Sequence, residues 1–265
     1  MEVDRANISG QTVRFGVRQG APGTRPLLVF NGIGANLELL APFAAAMADE
    51  GIGVIAFDIP GVGGSPRPTL PYRFPGLARL AAEFLETLGI KEPVDVLGVS
   101  WGGALAQRFA FQHPDQCRRL ILAATSAGVV MVPGRLDVLA KMVTPRRYVD
   151  SEYMSKVGGE LYGGRLREEP ELLATHGRHL APPSGLGYVY QLLAGAGWTS
   201  IHWLHRMQQP TLVMMGTDDR IVPVANGRIL AHMIPNARLV TVDDGHLFLI
   251  ARIDEVAPII RDFLH

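Results

Sequence analysis

The stretch Val94-Asp95-Val96-Leu97-Gly98-Val99-Ser100-Trp101-Gly102-Gly103 joins a run rich in β-branched residues to a segment suited to helix formation. It contains the pattern Gly-x-Ser-x-Gly, which places a serine on a sharp turn between a strand and a helix, with its hydroxyl clear of the sheet. Such a turn is too tight for large flanking side chains, and Gly98 and Gly102 meet that requirement. The helix predicted from about 102 to 112 directs its electropositive end at Ser100. The sequence therefore predicts that Ser100 is a nucleophile.

The overall composition limits the classes of protein to which the chain can belong. Its 265 residues are 48% hydrophobic and 19% charged, which is enough apolar material for a large core. Twenty-five basic and 25 acidic residues give a net charge of zero, so no basic surface for nucleic acid is predicted. No apolar run approaches the roughly 20 residues that span a membrane. A single cysteine, Cys117, and no charged-then-apolar leader lead us to expect a cytoplasmic protein.

Short apolar runs alternate with helical patterns through the first half of the chain. The runs at 27–30, 54–57 and 120–123 are typical of strands buried on both faces, and residues 11–18 alternate in the manner of an edge strand. Helices are predicted between these runs. Strand and helix in alternation predict an α/β protein with a mostly parallel sheet and helices on both faces.

This alternation breaks off near the middle of the chain and resumes with a strand at 211–215. The residues between are amphipathic pieces separated by glycines and prolines. We expect residues 1–128 and 210–265 to form one core domain. Residues 129–209 are predicted to be a helical lid, inserted before the strand that carries the acid.

A serine hydroxyl needs a base within hydrogen-bonding distance and an acid that orients the base. Among the eight histidines, His246 fits best, because it follows a predicted strand and turn and comes last in the order serine, acid, histidine. The acid is expected directly after the strand at 211–215, where Asp218 and Asp219 are adjacent and only one can reach the histidine. The apolar pair and proline that follow favour Asp219, and Asp218 stays the alternative.

The negative charge that develops on the substrate carbonyl needs two backbone donors. One predicted donor is the N–H of Trp101, the residue after the nucleophile. The second is assigned to Ile33, because Gly32 and Gly34 allow the loop to turn that N–H inward. No cluster of side chains has the spacing of a metal site, so neither a metal nor an organic cofactor is expected.

Several stretches of the sequence carry a resemblance to a known family. They are Asn31 to Leu39, Pro71 to Ala78, Gly98 to Gln107, Gly197 to His205 and Asp243 to Leu249. The chain resembles the α/β-hydrolase superfamily over nearly its whole length, and within it the intracellular depolymerases of medium-chain-length poly(3-hydroxyalkanoate). The resemblance implies the α/β-hydrolase fold and a catalytic triad of Ser100, Asp219 and His246. Asn31 stands where many members of the superfamily have histidine.

The resemblance also implies an activity and partners. It implies a serine carboxylester hydrolase that cleaves ester bonds of medium-chain-length poly(3-hydroxyalkanoate), or of its oligomers, through an acyl-enzyme. Two alternatives stay open: a small-ester or lactone hydrolase of the same fold, since fold and triad define reaction class better than substrate, and a non-enzymatic ligand receptor that retains the triad. The expected partner is a hydrophobic ester, with the surface of a polyester granule as a further candidate partner and location.

The predicted lid holds many large apolar residues between 188 and 204, among them Trp198 and Trp203. We expect some to pack the lid against the sheet and the others to line an apolar channel above Ser100 that takes alkyl side chains. The predicted substrate-binding residues are Asn31, Trp198 and Trp203. Because apolar pockets discriminate weakly, the preference for acyl length is expected to rise gradually.

Overall fold

The computed structural model describes residues 1–178 and 183–265, which form a central sheet and surrounding helices. The strands are β1 (Glu2–Ile8), β2 (Gln11–Arg18), β3 (Leu27–Phe30), β4 (Val54–Phe57), β5 (Val94–Val99), β6 (Cys117–Ala123), β7 (Thr211–Gly216) and β8 (Ala237–Val242). The α-helices are α1 (Leu37–Asp49), α2 (Phe74–Thr87), α3 (Trp101–Gln112), α4 (Leu136–Met142), α5 (Arg146–Val149), α6 (Ser151–Tyr162), α7 (Arg165–Glu168), α8 (Pro170–Arg178), α9 (Gly185–Gly195), α10 (Val224–Met233), α11 (Phe248–Ala251) and α12 (Ile253–Leu264). Short 3₁₀ helices occupy Pro114–Gln116 and Leu204–Arg206.

The strands lie in the order β1-β2-β4-β3-β5-β6-β7-β8. From β4 to β8 every neighbouring pair is parallel, and β2 is antiparallel to both β1 and β4. This arrangement confirms the predicted mostly parallel sheet. The prediction that residues 11–18 form an edge strand was wrong, because β1 covers that edge. Most β1 side chains are exposed and several are charged, so the apolar alternation that identifies a strand is weak there.

The parallel strands β3 to β7 are largely buried on both faces, whereas the edge strand β8 is partly exposed. Alternate residues of β3 divide between two hydrophobic cores: Leu28 and Phe30 belong to the core under α2 and α3, whereas Leu27 and Val29 belong to the core under α1 and α12. The period of two along a strand produces this division. Both faces are therefore covered by helices, as continuous apolar runs in the sequence predict.

Helices α4 to α9 fall between β6 and β7, within the segment 129–209. This segment is attached to α3 by hydrogen bonds. Ser200 Oγ donates to Gln107 Oε1 (2.6 Å) in a buried bond, and Trp101 Nε1 donates to the carbonyl of Gln191 (2.8 Å) in a partly buried one. Gly163 and Gly164 pack against the loops that follow β7 and β8. The segment thus lies over the carboxyl ends of the strands, where the loops carrying the predicted site residues also lie.

Among the helices of the described residues, none is long and apolar enough to cross a membrane.

The loop after β4 supports the start of α1. Asp58 is buried, and its carboxylate accepts hydrogen bonds from the N–H of Leu37 (2.9 Å), the N–H of Gly64 (2.8 Å) and Arg14 Nη1 (3.0 Å). Leu37 is the first residue of α1, so Asp58 supplies an acceptor to a helix N–H that has no partner within the helix. The role of Asp58 in the fold is therefore structural.

Replacing Gly102 by alanine should destabilise the protein by about 1–3 kcal/mol. A methyl group there would clash with the backbone carbonyl oxygens of Phe30 and Asn31, which cannot move away as a flexible side chain can. Urea denaturation measures the change. Gly76→Ala in α2 is the matched control, because none of the described residues comes within 4 Å of a methyl group added there. Equal stability of the two variants would contradict the close packing of α3 on β3.

Candidate active site

Ser100 lies between β5 and α3 with an unusual backbone conformation. Its φ is 55° and its ψ is −117°, a region that non-glycine residues rarely occupy. Hydrogen bonds hold this conformation: the Ser100 N–H donates to the carbonyl of Ala123 (2.9 Å), and its own carbonyl accepts from the Gly103 N–H (2.9 Å) and Thr125 Oγ1 (2.7 Å). Such strain persists only where neighbouring structure enforces it, and it occurs mainly at functional sites. The serine is therefore held on the sharp turn that the sequence predicts.

His246 follows β8 and is almost fully buried, with 4% of its surface exposed. Its backbone N–H donates to the carbonyl of Tyr162 (2.7 Å), and its ring stacks on the Tyr162 ring with an interplanar angle of 13°. Burial raises the pKa of the Tyr162 phenol, which therefore stays neutral beside the imidazole. The last residue of the inserted helix α6 thus contacts both the backbone and the ring of the histidine.

The imidazole of His246 is hydrogen-bonded to Asp219, with 2.7 Å between Nδ1 and Oδ2. The other carboxylate oxygen of Asp219 accepts the N–H groups of Ile221 (2.9 Å) and Val222 (2.8 Å). These two bonds fix the orientation of the carboxylate, and the contact through Nδ1 leaves Nε2 of the ring as the nitrogen that can serve Ser100. Asp219 is therefore suited to orient the histidine.

Asp218, the alternative acid, has a different environment. Its side chain is 36% exposed, pairs with Arg167 and Arg220 and accepts the N–H of Gly164. Burial opposes its ionisation, but the Gly164 N–H and the two arginines outweigh that effect and hold its pKa below the ordinary value. The structure thus brings Asp219 to the histidine and uses Asp218 to attach the inserted segment.

Ser100 and His246 line the same cavity. Among the described residues, no hydrogen bond joins the serine hydroxyl to the imidazole. Catalytic hydrogen bonds are often long in unliganded enzymes and shorten when substrate binds, so this arrangement is compatible with a serine–histidine pair.

The loop after β3 lies directly beside the serine. A Cβ placed on Gly32 would be 3.8 Å from Ser100 Cβ, and Gly34 has a φ of +75°. The Ile33 carbonyl accepts a hydrogen bond from the Tyr148 hydroxyl (2.6 Å), and the Gly34 N–H donates to Gln191 Oε1 (2.8 Å). These bonds hold the loop on both sides of the Ile33 N–H, which itself has no acceptor among the described residues.

The backbone N–H of Trp101 is likewise without an acceptor in the described part of the chain. It is the first N–H of α3, and such groups have no partner within their own helix. Asn31 also belongs to this region: its side chain lines the cavity, and its Nδ2 donates to the carbonyl of Asn36 (3.0 Å). The predicted backbone donors and Asn31 are thus gathered around Ser100.

Most of the cavity surface is apolar. Besides the residues already described, it is lined by Ala35, Leu39, Leu40, Phe43, Leu97, Val99, Met142, Arg147, Tyr148, Tyr162, His176, Leu247, Leu249 and Ile250. Most of these come from α1, from the inserted helices α4 to α6 and from the segment around α11. The sequence reasoning missed them, because the same apolar pattern on α1 and α11 also describes a helix face that packs on the sheet.

The predicted substrate-binding residues Trp198 and Trp203 are not among those lining this cavity. Trp198 packs on Phe74, with ring centroids 5.0 Å apart, and Trp203 stacks on Phe111 at 4.4 Å. The tryptophans follow α9 in a stretch that returns to β7 along α2 and α3, so their rings fill the contact with those helices. Their placement gives no support to a role in binding substrate.

Within the described residues, no three histidine, cysteine, aspartate or glutamate side chains come close enough together to hold a metal ion.

Comparison with known proteins places the chain in a family. Residues 25–252 match the family model of the alpha/beta hydrolase fold. A poly(3-hydroxyalkanoate) depolymerase from Ectopseudomonas oleovorans is 55% identical over 97% of this chain and 90% of its own length. A 3-oxoadipate enol-lactonase from Acinetobacter baylyi is 26% identical over 91% of this chain and 89% of its own.

The fold of a solved structure agrees with this assignment. The crystal structure of an enol-lactonase from Burkholderia xenovorans superposes with a TM-score of 0.82 at 25% identity, and the match covers 98% of this chain and 99% of that one. This chain therefore belongs to the α/β-hydrolase family, in the group that includes poly(3-hydroxyalkanoate) depolymerase.

Proposed function

We propose that this protein is a serine carboxylester hydrolase whose catalytic triad is Ser100, His246 and Asp219. The observation that carries the proposal is the opening of the Ser100 turn onto the cavity that also contains His246, with Asp219 bonded to the far nitrogen of the imidazole. Ser100 Oγ attacks the ester carbonyl while His246 accepts the hydroxyl proton. The imidazolium, stabilised by Asp219, then passes this proton to the departing alkoxide. Water cleaves the resulting acyl-enzyme by the same route.

The negative charge on the tetrahedral intermediate is stabilised by the backbone N–H groups of Ile33 and Trp101. Neither group has an acceptor among the described residues, so both are available to the oxyanion. Each preorganised donor of this kind lowers the barrier by roughly 3–4 kcal/mol. The hydrogen bonds that Tyr148 and Gln191 make with the Ile33–Gly34 loop keep the first donor in place.

We propose esters of medium-chain-length poly(3-hydroxyalkanoate), or of its oligomers, as the substrate. The 55% identity with the depolymerase of Ectopseudomonas oleovorans supports this choice over a small-ester or lactone hydrolase of the same fold. The chemistry of the cavity supports it as well, since leucine, valine, isoleucine, methionine and phenylalanine side chains surround Ser100. Such a surface suits alkyl side chains and offers few partners to a polar acyl group.

Residues 129–209 are proposed to act as a lid on the core formed by 1–128 and 210–265. Met142, Tyr148 and Tyr162 of this segment line the cavity, which supports a role in excluding water from the acyl-enzyme.

We also propose that the protein works in the cytoplasm, at the surface of a polyester granule. Helix α9 exposes Leu186, Val189 and Leu193, which are spaced three and four residues apart and therefore share one face. A row of exposed apolar side chains on a surface helix is typical of contact with another apolar surface. A granule of the proposed substrate is such a surface.

Removing the nucleophile tests the mechanism most directly. Ser100→Ala should lower the turnover of a soluble ester by several orders of magnitude while the protein stays folded. Asp219→Asn should cause a much larger loss than Asp218→Asn, because only Asp219 contacts His246. Steady-state kinetics on p-nitrophenyl esters, with circular dichroism as the folding check, measures both. Substantial activity of the serine variant, or the larger loss in Asp218→Asn, would contradict the assignment.

The dependence on acyl length tests the apolar cavity. Turnover of p-nitrophenyl esters should rise gradually from acetate to medium-chain acyl groups, since each methylene contributes at most about 1–3 kcal/mol. Ala35→Leu should reduce the advantage of the longer chains, because Ala35 lines the cavity and the larger side chain would fill it. Ala174→Leu, on the exposed side of α8, is the control. Best turnover on acetate by the unmodified enzyme would refute the proposed acyl site.

The exposed face of α9 can be tested separately from the chemistry. The double substitution Leu186→Ser and Leu193→Ser should lower co-sedimentation with polymer granules and leave turnover of a soluble p-nitrophenyl ester close to that of the unmodified protein. Val3→Ser removes an exposed apolar side chain from β1 and serves as the control. Unchanged granule binding in the double variant would exclude this face as the contact.

A further inference from the structure

Arg147, on α5, is a buried cation with no opposite charge beside it in the described part of the chain. Only 2% of its surface is exposed. Within residues 1–178 and 183–265, no carboxylate lies within ion-pairing distance of its guanidinium. The buried aspartates, in contrast, all face a basic group: Asp58 with Arg14, Asp95 with Arg118, Asp219 with His246 and Asp244 with Arg252. Because an unpaired buried charge is destabilising, this arginine requires an explanation.

The hydrogen bonds of Arg147 use only part of its donor capacity. Nη1 donates to the Tyr188 hydroxyl at 2.9 Å. Nη2 has two long contacts, 3.4 Å to the Tyr148 hydroxyl and 3.5 Å to the Ile33 carbonyl, and Nε has no acceptor in the described structure. The Tyr148 ring, 4.5 Å from the guanidinium carbon, offsets part of the cost of burial. The Nε–Nη2 edge is therefore the poorly satisfied edge of the group.

Other arginines of this protein show what that edge binds. Arg118 uses Nε and Nη2 to bind both oxygens of Asp95, at 2.8 and 2.5 Å. Arg165 uses the same two atoms on Glu169, at 2.7 and 3.0 Å. A guanidinium carries only donors, and two parallel N–H groups match the two oxygens of a carboxylate. A single hydroxyl could satisfy only one of them.

The position of Arg147 connects it to the reaction site. Its side chain lines the cavity that contains Ser100 and His246. Its Nη2 lies 3.5 Å from the carbonyl of Ile33, whose own N–H is the proposed oxyanion donor. A carboxylate bound by this guanidinium would therefore lie close to the ester that Ser100 attacks.

We propose that Arg147 binds the terminal carboxylate of a hydroxyacid oligomer and thereby directs cleavage to the last ester bond of the chain. This inference rests on the proposed function. In a 3-hydroxyalkanoate oligomer, the free carboxylate lies one monomer beyond the last ester carbonyl, so a cation next to the oxyanion loop can reach it. The enzyme thus removes monomers from the carboxyl end.

The bonds exchanged are those of ester hydrolysis. Ser100 Oγ forms a bond to the last ester carbonyl carbon, and the bond from that carbon to the alkoxide oxygen breaks. The alkoxide takes the proton from His246 and leaves as the 3-hydroxyacid, whose carboxylate is bound to Arg147. Water then releases the shortened chain, which ends in a new carboxylate and is again a substrate.

The preference for a free carboxylate can be measured without any variant. The two substrates are a dimer of a medium-chain 3-hydroxyacid and the same dimer with its terminal carboxylate converted to the carboxamide. We expect kcat/KM to be higher for the free acid by about 10- to 100-fold, which is the range for loss of a charge-assisted hydrogen-bonded pair. The amide has nearly the same shape, so the difference reports the charge. Equal kcat/KM values for the two dimers would overturn the proposal.

Substitution of Arg147 assigns that preference to the guanidinium. In Arg147→Met, the ratio of kcat/KM for acid and amide should fall to near one, and Arg147→Lys, which keeps the charge but not the fork, should be intermediate. Arg146→Met removes an exposed charge from the same helix and should keep the preference. Equal losses on both dimers in Arg147→Met would mean that the arginine only positions the oxyanion loop, and the proposal would be wrong.

Failure of this inference is distinguishable from failure of the proposed substrate. If the protein hydrolyses p-nitrophenyl esters but neither the dimers nor polymer, the polyester assignment fails. Inhibition of p-nitrophenyl ester turnover by a free medium-chain 3-hydroxyacid then still tests Arg147. Wild-type protein should be inhibited about 10- to 100-fold more strongly by the acid than by its carboxamide. Equal inhibition by the two would overturn the carboxylate site.

Discussion

The close approach of α3 to β3 is the constraint on which the site depends. Gly102 has no side chain, so its backbone can rest against the carbonyl groups of Phe30 and Asn31. That contact brings the loop after β3 alongside Ser100. The two N–H groups proposed to bind the oxyanion, in this loop and at the start of α3, are therefore close together. Because the contact joins backbone to backbone, it cannot adjust by a change of rotamer. The position of the serine relative to the Ile33 N–H is accordingly a property of the fold.

A second feature is that the inserted helices contact each of the loops at the edge of the site. The Tyr162 carbonyl accepts a hydrogen bond from the His246 N–H, and the two rings stack. Gly164 packs against the loop that follows β8, and the Tyr148 hydroxyl donates to the Ile33 carbonyl. The core sheet supplies the serine, the histidine and the aspartate, but helices from outside the sheet align them. The sequence pattern shows only amphipathic pieces in this segment, yet its side chains help to align the residues of the site.

The elements that the sequence predicted well are those in which one physical requirement determines the residue type. Strands buried on both faces need continuous apolar residues, and the sharp turn at Ser100 needs glycine on both sides. His246 could be selected because its place in the chain order allows few alternatives. The apolar pair and proline after the two aspartates favoured Asp219, which contacts His246 in the structure. Setting aside Asp218 needed the three-dimensional arrangement, because adjacent loop residues diverge in directions that spacing does not specify.

Other residues could not be predicted, because their roles depend on tertiary contacts. Leu39 and Phe43 lie on the apolar face of α1, as the residues of any helix that packs on a sheet do. Only the structure shows that this face also borders the cavity. Trp198 is a large aromatic residue of the kind that often contacts substrate, yet its ring packs on Phe74. Arg147 lies in a short helix rich in charge, where an arginine is expected to be exposed. Its burial follows from the ring of Tyr148 and the hydroxyl of Tyr188, which come from different parts of the insertion.

The hydrogen bond from the His246 N–H to the Tyr162 carbonyl has a consequence for how substrate enters. Any displacement of α6 that widened the entrance would stretch this bond and turn the imidazole away from the serine. An α6 held away from the loop after β8 would therefore leave Ser100 without an aligned base. Substrate entry through such an opening and catalysis would then require different positions of α6, and the time that an ester spends in the cavity would affect its selection as well as its chemical fit.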